Sequence, residues 1–187
     1  MRKPRATRAT AAAEFDAFVS AHRHAIQRYT YRRLDSRDAV EDAVADVFLT
    51  SWRRWVERPS GDAELLWLYG IARRVVANSE RAHRRKLRLI SRLSLDRTDA
   101  DKVHEPQASL LDDVAELVEQ LDTQEREMLQ LAYWERLSHR DIAHVLGCSE
   151  NAVDLRLRRI RRELRTRIEA LPANVRSKGH GRSVAGL

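Results

Sequence analysis

The chain has 187 residues, 43% of them apolar and 34% charged, and a formal net charge of +7. The apolar fraction suffices for packed cores and excludes wholesale disorder, while the basic balance favours an anionic partner such as nucleic acid. The single cysteine excludes an intramolecular disulfide and indicates a reducing compartment, so we expect a cytoplasmic protein. No apolar run approaches the roughly 20 residues of a membrane helix, so no membrane partner is expected.

The first block of the chain predicts a small helical bundle that follows a basic tail. Glycine and proline are scarce and no alternating strand pattern is present, so helices are expected throughout. Residues 1–12 are expected to be a disordered basic tail, and 13–90 to be a helical domain. Within this domain, Asp35 is a candidate cap for an amphipathic helix, and 58–62 is a turn-rich break before the next helix.

The second block predicts another helical domain, separated from the first by an acidic linker. The linker is expected at 91–109, the domain at 110–170 and a flexible tail at 171–187. The predicted fold is therefore all-α, with two small helical domains joined by a flexible linker. Two basic stretches, 71–92 and 139–167, lie one in each block, with the acidic stretch between them. This segregation of charge indicates two contacts with one polyanion.

The end of the second block predicts a helix-turn-helix. Ser138 can cap a short helix, Gly147 can end it in a left-handed conformation, and Ser149 can cap a longer helix. The second helix of such a unit enters the major groove of double-stranded DNA, where Asn and Arg read base edges and further arginines hold phosphates. The alternative is a helical hairpin with a solvated basic face. The candidate DNA-binding residues are Ser149, Glu150, Asn151, Asp154, Arg156, Arg158, Arg159 and Arg162.

Three parts of the sequence, in this order, resemble the extracytoplasmic-function sigma factors of bacterial RNA polymerase. Residues 38–54 are similar to the region-two helix that docks on the polymerase clamp, and 67–73 resemble the start of the DNA-melting helix. Region four of the family is resembled by 121–133, by 137–143 and by 152–153 together with 156–157. Each similarity alone is weak, but their order and spacing identify the chain as a member of this family.

The resemblance implies a sigma factor that binds core RNA polymerase and directs promoter-specific initiation. The first domain would contact core polymerase and open the minus-ten element, and the second would read the minus-thirty-five element with its helix-turn-helix. The implied contacts with core polymerase are Asp42, Asp46, Val47, Phe48, Ser51 and Trp52. The implied minus-ten contacts are Ser60, Gly61, Asp62, Trp67, Tyr69, Arg73, Arg74, Asn78 and Arg81.

The resemblance also implies the partners of the chain. These are the clamp helices and the flap of the large polymerase subunits, double-stranded promoter DNA, the melted non-template strand and an anti-sigma factor. Four positions depart from the family pattern: Arg74 stands where asparagine is common, Asp154 and Leu155 stand where a basic or small residue is usual, and Asp122 replaces the usual proline before a helix. Asp154 could accept a hydrogen bond from a cytosine amino group or repel a phosphate. For Trp67, packing in the core is an alternative to stacking on a base.

No pattern in the sequence points to catalysis, so the chain is not expected to be an enzyme. The seven histidines lack the spacing of a zinc helix, Cys148 has no Cys-x-x-Cys partner, and no Gly-rich phosphate loop or dinucleotide fingerprint is present. No metal or cofactor is therefore expected. Two other classes stay open: a polymerase-independent helix-turn-helix regulator, which would need a dimerising helix, and an interaction protein whose basic helices bind an acidic protein.

Overall fold

The computed structural model describes residues 8–93 and 117–170, and the chain divides into two compact units, Met1–Arg97 and Thr98–Leu187. Both described ranges consist of helices and turns without a strand, which confirms the all-α prediction. None of the described helices has the length and apolar character needed to cross a membrane. Among the described residues, no group of three histidine, cysteine or acidic side chains is placed to hold a metal ion.

Unit 1 is a three-helix bundle. Helix α1 spans Arg8–Tyr31, α2 spans Arg37–Arg53 and α3 spans Ala63–Leu93, with a short 3-10 turn at Trp55–Glu57. Each helix contacts the other two. Apolar side chains from one face of each helix form the core, because they recur at helical spacing. The largest buried members are Phe18, Ile26, Tyr29, Val40, Val44, Val47, Phe48, Leu68, Tyr69, Ile71 and Val76.

Local chemistry explains where α2 and α3 begin. The hydroxyl of Ser36 accepts a hydrogen bond from the backbone N–H of Ala39 at 3.2 Å, so Ser36 caps α2 and the expected cap at Asp35 is wrong by one residue. Gly61 adopts a φ of 68°, a left-handed conformation that suits glycine, just before α3. The predicted turn-rich break at 58–62 is thereby confirmed.

The boundaries of unit 1 correct two further predictions. Helix α1 begins at Arg8, so residues 8–12 of the predicted disordered tail are helical. The sequence there is rich in alanine, which has the highest helix propensity of all residues. Helix α3 continues to Leu93, so the predicted linker cannot begin at 91. Residues 1–7, 94–116 and 171–187 lie outside the described residues, and with them most of the predicted linker, the first seven residues of the predicted N-terminal tail and the predicted C-terminal tail.

In unit 2, residues 117–119 are helical and are followed by the helices α4 at Thr123–Tyr133, α5 at His139–Leu146 and α6 at Glu150–Ala170. Asp122 caps α4, because its carboxylate accepts hydrogen bonds from the backbone N–H groups of Gln124 and Glu125 at 2.8 and 2.9 Å. Helix α6 packs on both α4 and α5. Their shared core consists of Leu121, Met128, Leu131, Ile142, Ala143, Val145, Val153, Leu157 and Ile160.

Candidate nucleic-acid interface

Helices α5 and α6 form the predicted helix-turn-helix. Ser138 caps α5 by accepting a hydrogen bond from the backbone N–H of Asp141 at 3.2 Å, and its hydroxyl donates to the Asp141 carboxylate at 2.6 Å. Gly147 ends α5 with a φ of 69° and a ψ of 39°. Ser149 then accepts from the N–H of Ala152 at 3.2 Å and caps α6. Both predicted caps and the glycine turn are therefore present.

Helix α6 has one buried face and one exposed basic face. Val153, Leu157 and Ile160 are fully buried and bind the helix to the rest of unit 2. The opposite face carries Asn151, Leu155, Arg158 and Arg162, which recur at i, i+4, i+7 and i+11 and are all exposed. Of the eight sequence-predicted DNA contacts, seven are exposed: Ser149, Glu150, Asn151, Arg156, Arg158, Arg159 and Arg162.

Asp154, the eighth predicted contact, is half-buried and already paired. Its carboxylate accepts hydrogen bonds from Nε of Arg158 at 3.1 Å and forms an ion pair with Nη2 of the same arginine at 2.9 Å. Nδ1 of His139 lies 3.7 Å from Oδ1, the same carboxylate oxygen that accepts from Nε of Arg158. The acid therefore orients Arg158 along the helix, a role that sequence reasoning did not foresee.

A second ion pair ties the exposed face of α6 to α4. The guanidinium of Arg159 pairs with the carboxylate of Glu125, whose side chain is largely buried. Arg167, near the end of α6, pairs with Glu163 at 2.5 Å. By contrast, Arg156 and Arg162 are exposed and form no ion pair with a described residue. These two arginines are thus available for phosphate groups without breaking an internal contact.

In unit 1, the loop before α3 is held by a polar network around Glu64. One carboxylate oxygen of Glu64 lies 3.2 Å from Nε2 of His22 on α1, and the other lies 3.1 Å from Nη1 of Arg58. The Arg58 guanidinium also lies over the Trp55 ring, 4.0 Å from its centroid. All three polar side chains are about one-fifth exposed. We call His22, Arg58 and Glu64 the Glu64 network.

A surface ion pair holds the 3-10 turn that leads into this loop. Nε of Arg54 donates to the Glu57 carboxylate at 3.0 Å. This hydrogen bond holds the pKa of the exposed Glu57 carboxyl below its usual range. This pair therefore holds the chain on the N-terminal side of the loop, and the Glu64 network joins that side to the start of α3.

Of the nine predicted minus-ten residues, six are exposed, two are half-buried and one, Tyr69, is buried. Ser60, Gly61 and Asp62 form the exposed loop tip, and Arg74, Asn78 and Arg81 are exposed along α3, where Arg81 donates to the Asn78 amide oxygen at 2.6 Å. Trp67 and Arg73 are half-buried, and the Trp67 ring lies 6.4 Å from that of Phe18.

Tyr69 is a correction to the predicted minus-ten contacts. Its side chain is 2% exposed, and its ring packs against that of Tyr29 at 5.3 Å between centroids. Tyr69 stands two positions after Trp67 and lies on the inner face of α3. Its ring therefore belongs to the core and is not presented to a base.

Further along α3, four arginines share one face and line an open groove of about 420 Å³: Arg81, Arg84, Arg85 and Arg88. We call this the arginine face. Only Arg81 was among the sequence-predicted contacts. Glu80 lies 3.6 Å from Arg84, but the neighbouring positions bring no other acid to this helix face. A positive surface of this density is typical of a polyanion site.

The predicted polymerase contacts on α2 separate into exposed and buried residues. Asp42 and Asp46 are exposed, and Trp52 is 38% exposed. Val47 and Ser51 are fully buried, and Phe48 is 7% exposed. These three predictions are wrong as direct contacts, because residues three and four positions apart share one face of a helix, and this face of α2 is turned toward the core.

Sequence reasoning missed other residues on this surface. A groove of about 390 Å³ lies between α1 and α2 and is lined by Ala12, Phe15, Asp16, Phe48, Leu49 and Trp52. Leu49 is exposed beside Trp52, and the Phe15 ring lies 4.8 Å from the Trp52 ring. The signal available in the sequence was the pair Leu49 and Trp52, two large apolar residues three positions apart on the same helix.

Two family models match the chain, one in each unit. The model described as sigma-70 region 2 matches residues 18–86, and the model described as sigma-70, region 4 matches residues 111–164. The ECF RNA polymerase sigma factor BldN of Streptomyces coelicolor is 28% identical over 155 residues, which cover 76% of this chain and 56% of BldN. The ECF RNA polymerase sigma factor SigK of Mycolicibacterium vanbaalenii is 29% identical over 149 residues, covering 77% of this chain and 76% of SigK.

Two solved structures share the fold. The sigma factor RpoE from Bartonella quintana, in complex with the anti-sigma factor NepR, matches with a TM-score of 0.61 and 20% identity over 85% of this chain and 99% of RpoE. CnrH, in complex with the cytosolic domain of CnrY, matches with a TM-score of 0.60 and 24% identity over 88% of this chain and 96% of CnrH. Since regions 2 and 4 match in order and both relatives are of one group, the chain belongs to the sigma-70 family, among its extracytoplasmic-function sigma factors.

Proposed function

We propose that this chain binds core RNA polymerase and directs promoter-specific initiation, with unit 2 reading the minus-thirty-five element and unit 1 opening the minus-ten element. The observation that carries the proposal is the pair of basic helix faces, one on α6 and one on α3, each on a separately packed unit. Sigma factors are not enzymes, and we assign no catalytic step to the chain. Because RNA polymerase and promoter DNA lie in the bacterial cytoplasm, we propose that the chain acts there.

The support for double-stranded DNA as the ligand of unit 2 is the capped start of α6. Exposed Glu150 and Asn151 occupy its first turn, next to the Ser149 cap, where a recognition helix meets base edges. Asn presents both a donor and an acceptor and suits the adenine edge. The exposed arginines later in the helix suit the flanking phosphates, which fix the register of the protein on the duplex.

The support for promoter opening by unit 1 is an exposed loop on a rigid base. Ser60, Gly61 and Asp62 are exposed, while the Glu64 network anchors the chain on both sides of them. A melted base must be held outside the stack by polar groups in a fixed position, because an unstacked base costs a few kcal/mol. The adjoining arginine face would hold the phosphates of the non-template strand or of the neighbouring duplex.

The proposed surface for core polymerase lies on α2. Asp42 and Asp46 offer exposed negative charge, and Trp52 with Leu49 offers exposed apolar area beside the groove against α1. An aromatic anchor with polar groups at its rim is a common arrangement at protein interfaces. We assign this surface to the polymerase clamp helices and unit 2 to the flap. RpoE was solved with an anti-sigma factor, and we propose that an inhibitor of this kind covers the same surfaces here.

The proposal is tested by reconstitution. The full-length chain, mixed with core RNA polymerase, is expected to co-migrate with it in size-exclusion chromatography and to start transcription at discrete sites on a library of genomic DNA fragments. Core polymerase alone is the control. A chain that binds a palindromic DNA site as a dimer but never co-migrates with core polymerase would instead be an independent regulator, and the proposal would be wrong.

The arginine face gives a second prediction, on salt dependence. Replacing Arg84 and Arg85 together with alanine is expected to reduce the slope of log affinity against log salt by about 0.9 for each lost contact with a duplex phosphate. The affinity of the polymerase complex for promoter DNA is measured by fluorescence anisotropy between low and moderate salt. The matched control replaces Arg23 and Arg28, two exposed arginines of α1, and makes the same change in net charge. Equal slopes for both double variants would exclude the arginine face from DNA binding.

A further inference from the structure

Leu155 is an exposed leucine in the middle of the DNA-facing side of α6. Its side chain is 58% exposed. It follows Asn151 by one helical turn and precedes Arg158 by a little less than one turn, so the three side chains are neighbours on one face. Val153 and Leu157, two positions before and two positions after Leu155, are fully buried, so the face that carries Leu155 points to solvent. Leu155 is therefore the apolar member of an otherwise polar and basic row.

The core of unit 2 does not account for this leucine. Single exposed leucines are common on protein surfaces and by themselves mean little. The position of this one is informative, because the first two turns of a recognition helix lie against the base edges in the major groove. Among the groups that base pairs present there, the C5 methyl of thymine is the apolar one. A leucine on this face is matched by a thymine and by no other base.

The ion pairs around Leu155 favour the same conclusion. Asp154 is turned toward Arg158 and His139, with its carboxylate 2.9 Å from the Arg158 guanidinium, so the acid does not occupy the outer face. Asn151 remains exposed on the N-terminal side of Leu155. Asn151 and, one turn later, Leu155 suit two adjacent base pairs. The base pair that Leu155 faces would be the one that carries a thymine.

We propose that Leu155 contacts the C5 methyl group of a thymine in the upstream promoter element and makes thymine the preferred base at that position. The inference rests on the proposed function of unit 2. The contact buries about one methyl group against the side chain, so its loss is expected to weaken binding about fourfold. Leu155 is then a specificity-determining residue that the family resemblance did not assign.

The test replaces thymine with uracil, which differs only by the methyl group. Bound sequences are first selected from random duplex DNA with the full-length chain in complex with core polymerase and, in parallel, with the full-length chain alone at low salt. Each thymine of the selected upstream element is then changed singly to deoxyuridine, and affinities are measured for the wild type, Leu155→Ala and Leu155→Met. Val56→Ala is the matched control, since Val56 is a fully exposed apolar residue of unit 1.

One deoxyuridine position is expected to weaken the wild type, the Leu155→Met variant and the Val56→Ala variant about fourfold, and to leave the affinity of Leu155→Ala unchanged. Equal responses of Leu155→Ala and the wild type at every position would overturn the proposal. A selected element without thymine, or no selected element in either format, would overturn it too. Selection by the chain alone without any association with core polymerase would contradict the proposed sigma-factor function while leaving the thymine contact in place.

Discussion

Replacing Leu157 with alanine is expected to lower the free energy of unfolding of unit 2 by about 2–5 kcal/mol. Leu157 is fully buried in the middle of α6, where that helix packs on α4 and α5. Its truncation removes apolar contact area and leaves a cavity that the short helices cannot fill completely. A small domain has only about 5–15 kcal/mol of stability in total, so the loss is a large fraction of it.

The measurement is urea unfolding of the full-length chain, followed by helical circular dichroism. Sequence-specific DNA binding is expected to fall together with stability, because the exposed face of α6 keeps its geometry only while the buried face is packed. Leu155→Ala is the matched control: it makes the same chemical change two positions earlier on the exposed side. We expect it to change stability by no more than about 0.5 kcal/mol. Equal destabilisation by both substitutions would contradict the assignment of the two faces.

The helix-turn-helix was predictable from the sequence because its signals are local. Ser138, Gly147 and Ser149 act on backbone groups within four residues of themselves, and each adopts the conformation expected of it. The same reasoning failed by one residue at Asp35, because serine and aspartate are both good caps and Ser36 stands beside it. Local chemistry thus fixes which elements form, and is less decisive about their ends.

Contacts between distant residues were not predictable in the same way. His22 and Glu64 are 42 positions apart, and nothing in either local sequence indicates their hydrogen bond. Asp154 was expected to read a base or repel a phosphate, whereas its neighbours Arg158 and His139 occupy its carboxylate. These roles depend on how the helices pack. The periodicity of the sequence predicts which face of a helix is buried, but not which residues of another helix that face contacts. The contacts that anchor the loop before α3 and the orientation of Arg158 are therefore visible only in the structure.

The motif on α2 shows a different limit of sequence reasoning. A family resemblance applies to a continuous run of residues, but a helix presents only part of such a run to a partner. Val47, Phe48 and Ser51 lie on the buried side, whereas Asp42 and Asp46 lie outside. The buried residues of the run support the helix that carries the exposed ones. Substitutions on the buried side are therefore expected to lower the stability of unit 1, whereas substitutions on the exposed side are expected to weaken binding to core polymerase.

Phe48→Ala is the substitution that tests the effect of the buried side on stability most clearly. The Phe48 ring is 7% exposed and packs edge-on against Phe18 of α1, with 6.4 Å between centroids. Removing a buried phenylalanine is expected to cost unit 1 about 3–5 kcal/mol of its free energy of unfolding. Any loss of polymerase binding should follow from this loss of fold. Thermal unfolding of the full-length variant, compared with the wild type, measures the effect.

Asp46→Ala is the control on the exposed side of the same helix. It is expected to leave the free energy of unfolding within about 0.5 kcal/mol of the wild type and yet to weaken association with core polymerase, because it removes an exposed charge from the proposed interface. A Phe48→Ala variant of full stability that binds polymerase poorly would show that the ring itself reaches the partner. With the expected pattern, the buried residues of the motif build the surface, and the exposed acids and Trp52 make the contact.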